Sequence, residues 1–157
     1  MDYDEVSVLL GPSEIASGIR GARVMRQALL DTIGVATESL IVVGYMLNSS
    51  EIVERIISID SRIEVVIHLD ERQTMGDQRA RDSVEILRNN GAVVNLHGES
   101  VRGSMHAKVI IADDSEAIVG SANLTYSGSN RNLEIGLRLR GPSVYILKSS
   151  VESAFGE

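Results

Sequence analysis

The sequence predicts a single α/β domain over residues 1–157, built on a mixed central β-sheet flanked by helices. Three observations carry that expectation. Segments of helical spacing alternate with short, β-branched apolar runs as far as residue 97. Beyond it, three strand-like runs follow one another with no helix of ordinary length between them. A chain of 157 residues, 43% hydrophobic and 24% charged, can bury one core and is too short for two ordinary domains.

Each element has a local reason. Residues 22–33, ARVMRQALLDTI, set their apolar side chains at helical spacing. SLIVVGYML, residues 39–47, is an apolar run of the kind buried on both faces of a sheet. Asn48 stands as the next helix cap, and Glu51 completes a capping box ahead of IVERIIS. RIEVVIHL (62–69) reads as a second strand, GDQRARDSVEILRNN (76–90) as an amphipathic helix stopped by Gly91, and AVVNLH (92–97) as a third strand. HAKVIIAD, EAIVGSA and NLEIGLRL are the three later runs, and the short DDS between the first two predicts an antiparallel hairpin. Pro142 opens a closing helix over residues 142–155. A strand–helix alternation followed by a hairpin makes the sheet mixed. The polar connection TYSGSNR, 125–131, separates two candidate site segments, and there is no internal repeat or low-complexity tract.

Charge and composition exclude several function classes. A formal net charge of −7 argues against a broad basic surface that grips many phosphates at once. Residues 99–140 are more balanced, with Arg102, Lys108, Arg131, Arg138 and Arg140 against Glu99, Asp113, Asp114, Glu116 and Glu134. Lys108 is one of just two lysines among the 15 basic residues, the other being Lys148. The absence of cysteine rules out disulfides and thiolate metal sites. No apolar run approaches the roughly 20 residues of a membrane helix. The acidic start MDYDEVSVLL lacks the basic region of a secretory signal, so the expected location is the cytoplasm, without stable membrane association.

The chemistry gathers between residues 104 and 140. If HAKVIIAD is extended throughout, His106 and Lys108 project from one face while Ala107, Val109 and Ile111 face the other. Asp113 has the opposite parity to His106, which argues against a His–Asp dyad and gives it a structural role at the turn. Ser121 and Asn123 share a side at the end of the next run, and Glu134 opens the third, with Gly136, Arg138 and Arg140 on its parity. Side by side, these strands gather an imidazole, an ammonium, a hydroxyl, a carboxamide and a carboxylate. That set suits a phosphodiester, because the cation and the neutral donors stabilise oxygens that gain charge during phosphoryl transfer. Histidine can serve as nucleophile, acid or base. Glu134 is the candidate partner for the second imidazole N–H, favouring the charged ring while Lys108 opposes it. GSANLTYSG is no nucleotide loop, since no GK[ST] follows it.

HAKVIIAD, then GSAN, then NLE resembles the phospholipase D superfamily and its H-x-K-x4-D signature. His106, Lys108 and Asp113 fill the named places, Gly120, Ser121 and Asn123 match the downstream G-S-x-N element, and Glu134 matches the later acidic residue. The resemblance implies a phospholipase D-like fold and a phosphodiesterase that uses neither metal nor cofactor. It assigns catalysis to His106, Lys108, Ser121, Asn123 and Glu134, and support of the motif to Asp113 and Gly120. It further implies two chemical steps, in which His106 attacks phosphorus to give a phosphohistidine and a second histidine protonates the leaving group, then activates water. The chain holds one copy of the motif, so the second histidine is expected to be His106 of another copy, in an isologous homodimer with a shared site.

Length and motif number resemble the small nuclease-like branch of that superfamily, so the leading expectation is an endonuclease hydrolysing DNA or RNA. Arg131 and Arg138, near Glu134 in sequence, are the candidate substrate-binding residues that guide phosphate. One alternative is a phospholipid hydrolase or phosphatidyl transferase; four tyrosines, one phenylalanine and no tryptophan offer little interfacial anchoring for it. The other is a non-catalytic phosphate-binding dimerisation module. His68 and His97 lack the H-x-K context and are expected to be structural. Arg72, Arg79, Arg81 and Arg88 are expected on a solvated helix face balanced by Asp77, Asp82 and Glu85.

Overall fold

In the computed structural model the described residues are 2–99 and 105–155, apart from the side chain of Ser129; Arg102 lies outside them. The chain opens with β1 (Glu5–Gly11), a strand absent from the sequence expectation, followed by the short α1 (Ser13–Ala16). The helix expected from residue 22 begins later: Arg23–Val24 form the small strand β2, and α2 runs Met25–Gly34. Then come β3 (Ser39–Gly44), α3 (Ser50–Ile57), β4 (Glu64–Asp70), α4 (Glu71–Met75), α5 (Gln78–Asn89) and β5 (Val93–His97). The remaining elements are β6 (Val109–Ala112), β7 (Glu116–Gly120), α6 (Tyr126–Asn130), β8 (Glu134–Arg140) and α7 (Pro142–Phe155).

Two helix starts differ from expectation for the same reason. The cap of α3 is Ser49, whose hydroxyl accepts the Ile52 amide, whereas the Asn48 amide is used against the Leu124 carbonyl. The predicted helix 76–90 starts at Gln78 because Asp77 caps it through the Ala80 amide, and Asp70 caps the separate turn of α4 in the same way.

Among the described residues eight strands form one sheet in the order β2-β1-β8-β7-β6-β3-β4-β5. The pairs β3–β4, β4–β5 and β1–β2 are parallel, and β3–β6, β6–β7, β7–β8 and β8–β1 are antiparallel, so the expected mixed sheet is observed. One face carries the larger core, where Leu29, Ile33, Leu40, Val42, Ile52, Ile67, Leu87 and Ile110 join α2, α3 and α5 to the sheet. On the other face α7 lays Val144 and Val151 against Ile41, Val43, Val109, Ile111 and Ala117. Among the described residues no helix is long and apolar enough to cross a membrane.

Asp113, at the β6–β7 turn, ties the two halves of this sheet together. Its φ of 57° is left-handed, a region aspartate tolerates better than most residues. The turn aims its carboxylate at the start of β3, where Oδ1 accepts the amides of Glu38 at 2.8 Å and Ser39 at 2.9 Å. Oδ2 accepts the Thr37 amide and hydroxyl, each at 3.0 Å, and the Asp113 amide donates to the Ser39 carbonyl at 2.9 Å. Burial pushes this carboxyl up, but the bonds from Ser39, Glu38 and Thr37 outweigh it and hold the group below the ordinary aspartate value. A depressed carboxyl stabilises the fold above its unfolded value of about 3.9 and loses that contribution as pH falls through its folded value. Asp113→Ala is therefore expected to lower unfolding stability at neutral pH by about 2–4 kcal/mol, measured in urea. The gap between wild type and variant should then close below about pH 4.

Candidate active site

The ends of β3 and β7 and the starts of β6 and β8 lie at one edge of the sheet, and the motif residues collect there. His106 and Lys108 precede β6 rather than standing within it, because the ladder to β3 begins at the Val43–Val109 pair. The Lys108 carbonyl still accepts the Gly120 amide at 3.4 Å, which continues the hairpin toward the site. This lead-in brings the Lys108 Nζ to 3.3 Å from His106 Nδ1 and lets it donate to the His106 carbonyl at 3.0 Å. The ammonium thus lies against an exposed imidazole. Burial lowers the Lys108 pKa, and the charge of Glu134 partly restores it, which places the carboxylate within electrostatic reach of the ammonium.

Glu134 meets a different partner from the one expected. Its Oε2 accepts the Ser121 hydroxyl in a short hydrogen bond, in place of an imidazole N–H. Ser121 Oγ in turn accepts the Ile135 amide at 3.1 Å, and the Ser121 amide donates to the Ile135 carbonyl at 3.0 Å, so the hydroxyl is fixed from two directions. This close approach of β7 to β8 requires the facing glycines. A Cβ on Gly120 would sit 2.8 Å from the Gly136 Cα, so the motif glycine sets the strand spacing that brings Ser121 to Glu134. Asn123 follows in the loop, where the Oδ1 of its side chain is buried with no hydrogen-bond partner among the described residues. A Cβ on Gly128 would lie 2.3 Å from the Asn123 carbonyl, so glycine there allows α6 to close over that loop.

The structure brings His106, Lys108, Ser121 and Glu134 into one neighbourhood and sets other candidates apart. Asp113 lies at the far end of β6 and serves the turn. Arg138 shares the parity of Glu134 but stands four residues along β8, about 14 Å away at strand rise. There it lines a depression with Arg23, Gln27 and Asp31. Arg131 is exposed at the end of α6, its guanidinium 5.3 Å from the Tyr126 ring centre. Arg140 is structural, joining Glu116 at 2.5 Å and Glu5 at 3.5 Å.

One neighbour escaped the sequence reading. Tyr45, just past β3, presents its ring edge-on to His106 with centroids 5.0 Å apart. Its only sequence signal was its position at the end of a buried strand, where sites of open sheets collect. His68 and His97 sit on the α7 face of β4 and β5. Their rings are joined by a 2.8 Å contact between Nδ1 and Nε2, and Phe155 stacks on His68 at 4.4 Å. Among the described residues no three His, Asp or Glu side chains converge as metal ligands.

The family described as "Cardiolipin synthase, PLD-like domain" matches residues 29–155. The chain belongs to the phospholipase D superfamily. A curated relative, the DISARM protein DrmC of Bacillus paralicheniformis, is 32% identical over 117 residues, which are 73% of this chain and 49% of that protein. This phospholipase D-like chain therefore spans about half the length of that relative. Two solved structures share the fold. Nuc from Salmonella typhimurium, a phospholipase D family member, superposes with a TM-score of 0.80 at 22% identity, covering 96% of this chain and 91% of its own. NucT from Helicobacter pylori gives 0.81 at 22% identity, covering 97% and 95%. The phospholipase D-like fold expected from the motif is thus observed across nearly the whole chain.

In this phospholipase D-like fold His68 has a defined ionisation. Burial, then the neighbouring His97, lower its pKa to about 4. Because an unfolded histidine titrates near 6.5, the unfolded chain binds the extra proton first, and stability is lost as pH falls from about 6.5 to about 4. Imidazole NMR resonances of His68 are expected to stay those of the neutral ring down to about pH 5, with a midpoint near 4.

Proposed function

We propose that this chain is a phosphodiesterase acting on nucleic acid through a phosphohistidine at His106, in a site completed by a second copy of the chain. The observation that carries the reading is the Lys108 ammonium lying 3.3 Å from the His106 ring, beside the Ser121–Glu134 pair. A phosphate oxygen entering this corner meets a cation and fixed polar groups, and the exposed imidazole faces its phosphorus. In the first step the His106 nitrogen forms a bond to phosphorus, the P–O bond to the leaving strand breaks, and the departing oxygen takes a proton. In the second, the group that gave up this proton takes one from water, the water oxygen bonds to phosphorus and the P–N bond breaks. Lys108 compensates the phosphoryl charge in both steps, and its lowered pKa reflects the desolvated corner it occupies. Ser121 is the oriented hydroxyl, held by the Ile135 amide and the Glu134 carboxylate. Asn123, two residues beyond Ser121, would offer its side-chain NH2 to the same phosphate.

The proton donor for the leaving oxygen is the second copy's His106, since the rings of His68 and His97 are packed against Phe155 of α7. The sheet supports such pairing. On the α7 face, α7 covers the β3–β6–β7 side, while Val6, Val8, Val119, Ile135 and Leu137 on β1, β8 and β7 remain exposed. Register puts Val8, Leu137 and Val119 in one row on that face. Tyr145 and Ile146 of α7 are exposed by 62% and 64%. A two-fold axis beside α7 would lay these two side chains on the bare half-sheet of the other copy, and the reverse, burying both surfaces with one operation.

Two experiments test the proposal. A labelled oligonucleotide should be cleaved in EDTA, and His106→Ala should reduce the rate by roughly a thousandfold or more. Activity abolished by EDTA, or retained by the variant, contradicts the mechanism. Cardiolipin or phosphatidylglycerol turnover without nucleic-acid cleavage would instead favour the lipid reading that the family description brings. For the shared site, sedimentation equilibrium should give a dimer. Leu137→Glu should make it monomeric and abolish cleavage without changing the circular dichroism, because a buried unpaired charge weakens the contact by about a hundredfold or more. A monomeric, active wild type would rule out the shared site.

A further inference from the structure

A cleft of about 310 Å³ opens between α4, α5 and β5, lined among others by Thr74, Met75, Arg81, Glu85, Arg88 and Leu96. Its volume falls at the lower end of small-molecule sites, about 300–1,000 Å³. Arg81, Glu85 and Arg88 stand at i, i+4 and i+7 on α5 and so share one face of the helix. The carboxylates expected to balance these arginines form no direct ion pair with them among the described residues. Asp77 is engaged in capping α5, Asp82 accepts from Gln78, and neither guanidinium has a carboxylate partner among the described residues. Arg81 donates to the Met75 carbonyl and the Gln78 side chain, and Arg88 donates to the Val94 carbonyl at 2.7 Å. These bonds orient both groups and leave part of each set of five N–H donors for a ligand. Beneath them Thr74, 1% exposed, has a hydroxyl with no hydrogen-bond partner among the described residues.

We propose that this cleft binds a nucleotide, as a subsite for a unit of the substrate strand other than the one being cleaved. The inference rests on the nucleic-acid reading above. Each of these oriented guanidiniums can pair with a phosphate oxygen. Met75, Val84 and Leu96 form an apolar wall for a planar base. Glu85, between the arginines, disfavours a bare anion and favours a ligand that also donates hydrogen bonds, as sugar hydroxyls and base amines do. Asn89 adds a further amide to the rim, and Thr74 supplies an unused hydroxyl at the floor. β5 lies three strands from β6 in the sheet, about 14 Å across at strand spacing, so a chain of a few nucleotides joins this cleft to His106.

The test is titration of 5′-AMP into the 15N-labelled wild-type protein, with inorganic phosphate as comparator. AMP is expected to shift the amides of Met75, Val84 and Leu96, and Arg81→Ala combined with Arg88→Ala should weaken this binding by about tenfold or more. Thr74→Val should weaken it less while leaving the fold intact. Shifts confined to Lys108 and Ser121, or phosphate binding as tightly as AMP, would overturn the nucleotide site. The two readings separate cleanly. Oligonucleotide cleavage with no AMP in the cleft overturns the subsite alone. AMP seated in the cleft of a protein that cleaves no nucleic acid upholds a nucleotide site and overturns its assignment to the substrate strand.

Discussion

The antiparallel register of β6 on β3 depends on a single carboxylate. The parallel half of the sheet places its strand ends by local strand–helix alternation, but the hairpin carrying His106 and Lys108 must be fixed to that half from outside. Asp113 does so by bonding three consecutive amides at the entrance of β3, while its own amide returns a bond to Ser39. With that end fixed, Val43 faces Val109, and the residues just beyond the ladder at the other end are Tyr45 and the His106–Lys108 lead-in. A slip of one residue would exchange the faces of β6 and remove Lys108 from the site edge. Asp113 thus governs the site from the opposite end of the strand.

A second fixed point works from below. Glu116, 4% exposed, accepts Thr32 of α2 at 2.6 Å and Arg140 of β8 at 2.5 Å, so one buried carboxylate joins a helix and two strands. Removing one member would leave a buried group unpaired, and such networks are costly to break. From this anchor β7 and β8 run to the glycine pair and on to Ser121 and Glu134. The polar residues of the site are therefore held by two anchors at the far ends of their strands, and the rim itself is left polar and accessible.

Legibility in the sequence followed the range of the interactions. β3 and β4 were readable because each is a β-branched run buried on both faces, and β5, part-exposed at the sheet edge, because it follows a helix of clear spacing. β1 was not, since its partner β8 lies at the other end of the chain and most of its residues are not fully buried. The residue types around His106 pointed to phosphodiester chemistry, yet strand parity overextended β6 and paired Glu134 with the imidazole. The structure gives Glu134 to Ser121 because the glycine pair draws those strands together. Arg138 had the right parity and the wrong distance, which parity cannot register. Tyr45 entered through a turn, where no periodicity applies. Arg81 and Arg88 read as solvated charges, and Arg88 is exposed as expected, but their place in one cleft depends on how α4 and β5 flank α5, which charge counting does not register.

The position of β1 has a consequence for how the molecule comes into being. It sits inside the sheet, between β2 and β8, with a register running from Glu5 opposite Arg140 to Gly11 opposite Glu134. β3 to β5 and their helices can assemble from neighbours in sequence, whereas β1 must wait for β8, which follows all of them in the chain. Such long-range closures are slow and leave strand edges open meanwhile. On a ribosome the scaffold would precede the chemistry, and the partly made chain would carry an unpaired β1 as an adhesive edge. The same strand that completes the sheet beside Glu134 is then the one most in need of protection until its partner arrives.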